Sequence, residues 1–135
     1  MLTASILAKR ADVPVYTVRH YTKIGLLNPT QREDNGYKIY RGSDVTLLRF
    51  ISNAKELGFT LKEISEILGE SDKGKSPCPL VREIIETRIA ETRAQIKSLR
   101  KMLAKMESAK AAWENMKDGI PTGHSVCHLI ESFAD

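Results

Sequence analysis

The feature that most constrains this chain is its longest stretch without a helix breaker, residues 79–115. After Pro79, which suits the first turn of a helix, this stretch contains neither Gly nor Pro. Its apolar residues repeat every seven positions, which is the period of a coiled-coil seam. The repeat has two series, which are Ile85, Thr92, Leu99, Met106 and Trp113, and Ile89, Ile96, Leu103 and Lys110.

A helix over 79–115 would be about 55 Å long, which is far more than a domain of this size can bury. Its apolar stripe therefore needs a partner helix, and a second copy of the chain is the simplest source. We predict a homodimer joined by two long helices, and the heptad itself leaves them antiparallel or parallel. A helix hairpin within one chain is the alternative, but the sequence has no second helical stretch of similar length.

The N-terminal part predicts two short helices and a hairpin. The helices are expected over 3–11 and 15–24, separated by Pro14, in a helix-turn-helix arrangement. The Asn35-Gly36 pair then predicts the turn of a small β-hairpin over about 31–40, which we call the wing.

Two more helices are expected between the wing and the long helix, over 43–57 and 61–69. Thr60 and Glu63 match a capping box that opens the second of them. The predicted fold class is mainly helical, with an N-terminal winged helix-turn-helix followed by a long dimerisation helix. We expect four divisions: the winged helix-turn-helix with its helix pair (1–70), a linker (71–78), the dimerisation helix (79–115) and a C-terminal segment (116–135).

The C-terminal segment is expected to hold a loop at 119–123 and a short amphipathic helix over 125–133. The pattern predicts that four apolar side chains of this helix face inward: Val126, Leu129, Ile130 and Phe133.

Charge divides the chain unevenly. Residues 1–60 hold nine Lys and Arg against five Asp and Glu, whereas residues 61–135 hold twelve of each. Excess positive charge at one end indicates a polyanionic partner there. No apolar run is long enough for a membrane span, and Lys9 interrupts any secretory core, so we expect a soluble, cytoplasmic protein without a membrane partner. No catalytic constellation stands out, and we expect no enzyme.

The second helix of the helix-turn-helix carries a polar face at helical spacing, formed by Tyr16, Arg19, His20 and Lys23. In the major groove of DNA, an Arg can bind a guanine edge, while Tyr and Lys can reach phosphates. An ordinary solvated face is the alternative. The wing shifts the balance towards DNA, because basic and aromatic residues concentrate on it or beside it: Arg32, Tyr37, Lys38 and Arg41.

Five segments together resemble the MerR family of bacterial transcriptional regulators: 6–9, 17–27, 35–40, 48–51 and 55–64. The resemblance implies that Arg19 and Tyr16 reach base edges or nearby phosphates. It also implies that the DNA backbone is held by Tyr21, Arg32, Tyr37 and Lys38. The family usually has two aromatic residues and then an acid after this Arg. Here His20, Tyr21 and Thr22 follow Arg19, so we expect one phosphate or phenol contact to differ.

The resemblance also implies a mechanism. Members of the family dimerise through antiparallel long helices and bind double-stranded promoter DNA whose spacer is too long for RNA polymerase. When the effector binds, the dimer bends and untwists the DNA and realigns the promoter elements. The physical basis is differential binding to two protein states, coupled to deformation of the duplex.

The two cysteines, Cys78 and Cys127, stand before the long helix and in the C-terminal segment. Two thiolates with an imidazole form a ligand set for soft metals, but free cysteines are also commonly small buried apolar residues. The residues alone leave these two interpretations open. If the long helices run antiparallel, Cys78 of one copy would approach Cys127 of the other.

The resemblance favours the metal, because metal-responsive relatives place cysteines where Cys78 and Cys127 stand. Relatives usually carry another Cys at the end of the long helix, where this chain has Trp113. We therefore expect His124, and after it His128, Asp118 or Glu114, to complete a site for a divalent ion, with zinc first and cadmium, lead or mercury as the others. Sensing of an organic ligand or of thiol oxidation is the alternative, and a dimeric adaptor without specific DNA recognition is a third hypothesis.

Overall fold

The computed structural model describes residues 1–31 and 36–134, in which six helices and two short strands follow one another. The predicted fold class is confirmed, since the chain is mainly helical with an N-terminal winged helix-turn-helix and one long helix. Arg32 and Asn35 lie outside the described residues. None of the helices in the described part is long and apolar enough to cross a membrane.

Helices α1 (Ala4–Ala11) and α2 (Val15–Lys23) form the helix-turn-helix. The side chain of Thr3 caps α1 by accepting a hydrogen bond from the amide of Ile6. Between the helices the backbone turns at Asp12, and Pro14 directly precedes α2. A first core holds the two helices against the wing and α3, with six of its buried residues being Leu7, Ala8, Val18, Leu27, Tyr40 and Leu48.

The predicted hairpin is present as two antiparallel two-residue strands, β1 (Thr30–Gln31) and β2 (Lys38–Ile39). The pairing sets Thr30 opposite Ile39 and Gln31 opposite Lys38. Immediately after β2, Tyr40 exchanges backbone hydrogen bonds of 3.0 and 2.7 Å with Leu2. The start of the chain is therefore fastened to the end of the wing.

Helices α3 (Ser43–Glu56) and α4 (Leu61–Asp72) form a pair over a second core. The predicted capping box is confirmed: the side chain of Thr60 accepts from the amide of Glu63, and Glu63 accepts from the amide of Thr60. The expected stop at Gly69 is wrong. The helix continues one turn, because Gly69 accepts a hydrogen bond from the amide of Lys73 within the last turn.

Helix α5 (Cys78–Trp113) is the long helix, and its bounds lie within two residues of the predicted ones. Its first turns belong to the second core, whose buried members are Ile51, Ala54, Phe59, Ile64, Ile67 and Ile84. The chain divides into two compact units, Met1–Arg88 and Ile89–Asp135. In the second unit most of the large apolar residues of the heptad are exposed, namely Ile89, Ile96, Leu99, Leu103 and Met106, while Trp113 is partly buried.

The last helix, α6 (His128–Glu131), is only one turn long. The prediction of a helix over 125–133 with an inward apolar face is wrong for the single chain, because Val126 is 82% exposed, Ile130 67% and Phe133 42%. The helix starts late because Cys127 is extended, and the carboxylate of Glu131 binds the amide of Val126.

Candidate nucleic-acid interface and metal-binding residues

Helix α2 turns its apolar side into the first core and its polar side to solvent. Val18 is fully buried, whereas Tyr16 is 72% exposed. The other three members of the predicted recognition face are exposed as well: Arg19, His20 and Lys23. This segregation follows from helical spacing, and it leaves four polar side chains available to a partner along one helix.

The wing and the start of α1 meet α2 around one open cleft of about 690 Å³. Arg19 lines this cleft together with Tyr37 and Lys38 of the wing. The structure thus brings together one predicted base-reading residue and two predicted backbone-binding residues. Tyr16, His20 and Lys23 lie on the exposed face of α2 without lining the cleft.

Tyr21 has a different environment from the rest of the predicted interface. Its ring is partly buried and packs against both cores, and it lies 5.7 Å from the His20 ring. Burial raises the pKa of the Tyr21 phenol above its ordinary value. A phenol is already protonated at neutral pH, and the raised pKa keeps Tyr21 a hydrogen-bond donor further into the alkaline range.

Sequence analysis did not identify the structural role of Tyr40, whose side chain is only 2% exposed. Its phenol shares a hydrogen bond of 2.8 Å with the hydroxyl of Thr22, which also donates to the carbonyl of Val18. Thr22 is the residue that stands where the resembling family has an acid. The pair joins the end of the wing directly to the helix that carries Arg19.

A second connection joins α5 to α4. Arg88 donates to both carboxylate oxygens of Glu63, at 2.6 Å to Oε2, and its aliphatic part covers Gly58. Gly58 has a φ of 89°, so a side chain there would be strained and would also meet Arg88. The hydrogen bond from the Thr60 amide and then the Arg88 guanidinium lower the pKa of Glu63. The capping box could be predicted from the sequence, whereas no local pattern indicated that Arg88 would bind Glu63.

The two cysteines are both free. Cys78 is exposed at the start of α5, in the first compact unit, and its amide donates to the hydroxyl of Ser76 at 3.4 Å. Cys127 is partly buried in the second unit. Over residues 1–31 and 36–134, no three His, Cys, Asp or Glu side chains of one chain are grouped so that they could hold a metal ion.

Cys127 lines a cavity of about 300 Å³ whose wall also includes Asp118, Gly119 and His128. The His128 ring lies directly on Gly119, where an added Cβ would be 2.4 Å from Nδ1. His124 is exposed and does not line this cavity. The structure therefore places His128, which the sequence ranked after His124 as a metal ligand, at the same cavity as Cys127.

The carboxylate of Glu131 organises the residues before Cys127. It accepts from the Ser125 hydroxyl at 2.5 Å and from the Val126 amide at 2.8 Å. These two hydrogen bonds, the Ser125 hydroxyl first, lower the pKa of Glu131. Sequence analysis missed this contact, because nothing in the pattern distinguishes Glu131 from other exposed acids.

A helix-turn-helix whose second helix meets a basic wing is the arrangement of a winged DNA-binding protein. The family profile described as MerR HTH family regulatory protein matches residues 2–71, and the one described as MerR, DNA binding matches residues 45–109. The chain belongs to the MerR family of DNA-binding transcriptional regulators.

The similarity to individual relatives extends over most of the chain. The transcriptional regulator ZntR of Escherichia coli K12 is 33% identical over 93% of this chain and 87% of its own length. A probable heavy metal-dependent transcriptional regulator of Haemophilus influenzae is 34% identical over 74% of this chain and 78% of its own. The crystal structure of PbrR691 from Ralstonia metallidurans CH34 with lead(II) superposes with a TM-score of 0.77, at 27% identity over 99% of this chain and 100% of that one.

Proposed function

We propose that this protein is a homodimeric regulator that binds promoter DNA and senses a divalent soft metal ion through Cys78 and Cys127. The observation that carries the proposal is the position of the two free thiols, one at the start of the long helix and one in the C-terminal segment. Relatives described as heavy metal-dependent and as bound to lead(II) support it.

The proposed DNA-binding surface combines the exposed face of α2 with the wing. Arg19 and Tyr16 read base edges or adjacent phosphates, with His20 and Lys23 beside them. The backbone is held by Tyr21, Arg32, Tyr37 and Lys38. The shared cleft of Arg19, Tyr37 and Lys38 supports this division, since a helix in the major groove and a wing over the neighbouring backbone contact the duplex together.

The proposed dimer uses the apolar stripe of α5. Leu99 is 64% exposed in the single chain and Leu103 54%, although both are large aliphatic residues. A second α5 would cover them, and we propose an antiparallel pairing. In that pairing Cys78 of the partner subunit approaches Cys127, so that each metal site draws ligands from both chains.

The proposed ligands are Cys78, Cys127, and His124 or His128. Thiolate and imidazole are the donors that zinc, cadmium, lead and mercury prefer, so this set fits such an ion by its chemistry. Zinc is the first candidate, because a mixed set of sulfur and nitrogen suits it. A bound ion would supply the positive charge that balances the thiolates of Cys78 and Cys127.

For the chain itself, sensing means a shift between two arrangements of the DNA-binding units. The first turns of α5 share a core with α3 and α4, and Arg88 binds Glu63. A displacement at the start of α5 is therefore transmitted to the compact unit that carries α2 and the wing. We propose that the shifted dimer distorts the promoter spacer, so that RNA polymerase can engage both elements and transcription is activated. The functional divisions proposed are those at 1–70, 71–78, 79–115 and 116–135.

The decisive experiment is a titration of the purified, reduced dimer with Zn²⁺, Cd²⁺, Pb²⁺ and Hg²⁺, followed by transcription from its promoter in vitro. We expect tight binding of at least one ion that is lost in Cys78→Ser and in Cys127→Ser, while promoter binding by the metal-free variants is retained. Ser98→Cys adds an exposed thiol in the middle of α5, about 30 Å along the helix from Cys78, and is the matched control, with unchanged affinity. Metal affinity that survives both cysteine substitutions would overturn the proposal.

Sensing of an organic ligand or of thiol oxidation is the second candidate. Trp113, which is partly buried at the end of α5 where relatives carry a cysteine, is the observation that favours it. A transcriptional response to an organic compound that persists in the double Cys→Ser variant would support this candidate against the metal. A response to oxidants that is lost in the same variant would support oxidation.

A further inference from the structure

The inference concerns how the chain presents Cys127, and it rests on the proposed metal site. Cys127 is not part of a regular element: its backbone is extended, with φ −149° and ψ 108°, and α6 begins only at the next residue. A ligand on such a segment needs other contacts to fix its position, because ordering a free loop on binding costs conformational entropy.

Those contacts converge on one carboxylate. Both oxygens of Glu131 are used, one by the Ser125 hydroxyl and one by the Val126 amide. The amide of Glu131 in turn donates to the carbonyl of Cys127 at 3.0 Å. Glu131 therefore holds the chain on both sides of Cys127, through its side chain before the cysteine and through its backbone after it.

The rest of the segment supports the same arrangement. The hydroxyl of Thr122 accepts from the amides of His124 and Ser125, both at 3.1 Å, and the Thr122 amide donates to the Ser125 carbonyl at 2.8 Å. These bonds build a tight turn that places Ser125 where its hydroxyl meets Glu131. Together, the turn and the Glu131 carboxylate fix the position of the backbone that leads into Cys127.

We propose that Glu131 is the positioning residue for Cys127: its carboxylate binds Ser125 and Val126 and so holds the thiol in place for the metal before the metal arrives. In this role Glu131 acts through the segment before Cys127 and not as a ligand. It sets the affinity of the site, while the ligands set which ions are accepted.

The test substitutions distinguish the loss of the Glu131 hydrogen bonds from the loss of helix α6. Glu131→Ala removes both side-chain bonds but keeps a strong helix former in α6. Glu131→Gln can still accept from the Val126 amide and donate to the Ser125 hydroxyl, so it should behave much like wild type. Ser125→Ala removes one bond, and Ser132→Ala is its matched control, because the Ser132 hydroxyl donates to the Leu129 carbonyl and not to Glu131.

The first readout needs no metal. In the metal-free full-length dimer, amide hydrogen exchange at Val126 should accelerate at least tenfold in Glu131→Ala and remain close to wild type in Glu131→Gln and Ser132→Ala. The second is the affinity for Cd²⁺, followed by thiolate charge-transfer absorbance. Loss of an outer hydrogen bond to a metal site typically costs about 10- to 100-fold, and we expect that loss in Glu131→Ala, a smaller one in Ser125→Ala and none in Ser132→Ala.

The outcomes distinguish this inference from the proposed function. If Cd²⁺ binding depends on Cys127 but not on Glu131, or if Val126 exchange is unchanged in Glu131→Ala, the positioning role is wrong and the metal site stands. If Glu131→Gln is as impaired as Glu131→Ala, hydrogen bonding is not what matters and the inference also fails. If the wild-type dimer binds none of the ions, the proposed function fails, and this inference fails with it.

Discussion

The phenol of Tyr40 and the hydroxyl of Thr22 share a partly buried hydrogen bond of 2.8 Å at the edge of the first core, and this bond joins the wing to α2. Tyr40→Phe keeps the packing and removes this bond. We expect the free energy of unfolding to fall by about 1 kcal/mol, as is typical when one hydrogen bond is lost. We also expect the affinity for promoter DNA to fall by a few fold. Urea denaturation and a promoter-binding titration measure the two effects.

A double-mutant cycle provides the control for that prediction. Thr22→Val removes the same bond from the other side, so the double variant should lose less than the sum of the single variants. Strict additivity would show that the two hydroxyls do not cooperate.

The shared cleft of Arg19 and Lys38 predicts two different effects on DNA binding. Arg19→Ala should cost about 1–3 kcal/mol and relax discrimination at one base pair, because a base contact is lost. Lys38→Ala should weaken all sequences equally and lower the salt slope by about one, because a phosphate contact is lost. Binding to operator and mutated operators across a range of salt concentrations measures both, with Lys73→Ala as the control. Equal behaviour of the Arg19 and Lys38 variants would contradict the assigned contacts.

The Thr60 amide and Arg88 hold the pKa of Glu63 below that of an unfolded chain. A lowered folded-state pKa means that the stabilisation is present above the unfolded value and is lost as the pH falls through the folded value. We expect Glu63→Gln to make stability less sensitive to acid, and Arg88→Met to have a partial effect, since the Thr60 bond remains. Denaturation midpoints measured from neutral pH downwards test this, and identical acid profiles for wild type and Glu63→Gln would refute it.

Gly119 lies under the His128 ring, and a Cβ there would overlap Nδ1 at 2.4 Å. Gly119→Ala should displace the ring from the cavity that Cys127 lines and weaken Cd²⁺ binding severalfold. Gly123→Ala is the matched control, because nothing lies within 4 Å of its Cβ. Isothermal titration and the NMR signals of His128 measure the change. Equal affinities of the two alanine variants would exclude a role for this close approach.

The exposed stripe of α5 predicts the effect of a charge at its centre. Leu99→Lys should shift the protein towards monomer, because a buried unpaired ammonium in the seam is costly. Ser98→Lys places the same charge beside the seam and should leave the dimer intact. Sedimentation at several protein concentrations measures the equilibrium, and a dimer unaffected by Leu99→Lys would contradict the proposed interface.

Patterns carried by neighbouring residues were predictable from the sequence, and contacts between distant ones were not. The capping box of Thr60 and Glu63 spans three residues, so its chemistry could be read directly. The partner of Glu63 in α5 lies 25 residues away, and many exposed Arg side chains could have filled that position equally well.

The two errors in the helix bounds arise where hydrogen bonds between residues four or five positions apart override the preference of single residues. Gly69 is a good helix terminator in isolation, yet α4 continues past it. The apolar spacing of 125–133 suits a helix, but the bond between Val126 and Glu131 keeps the first residues extended. The ligand roles of Cys78, Cys127, His124 and His128 stay predictions, since a site shared by two chains is not visible in one.

The packing of Ile84 beside Phe59 and Ile64 sets a limit on how this protein can be divided. A fragment cut at residue 70 would lack Ile84 and so leave the second core incomplete, and we expect a stable fragment that contains α2 to extend through Arg88. Exchange of sensor modules by recombination would accordingly have to cross over within α5 itself, several turns after it begins.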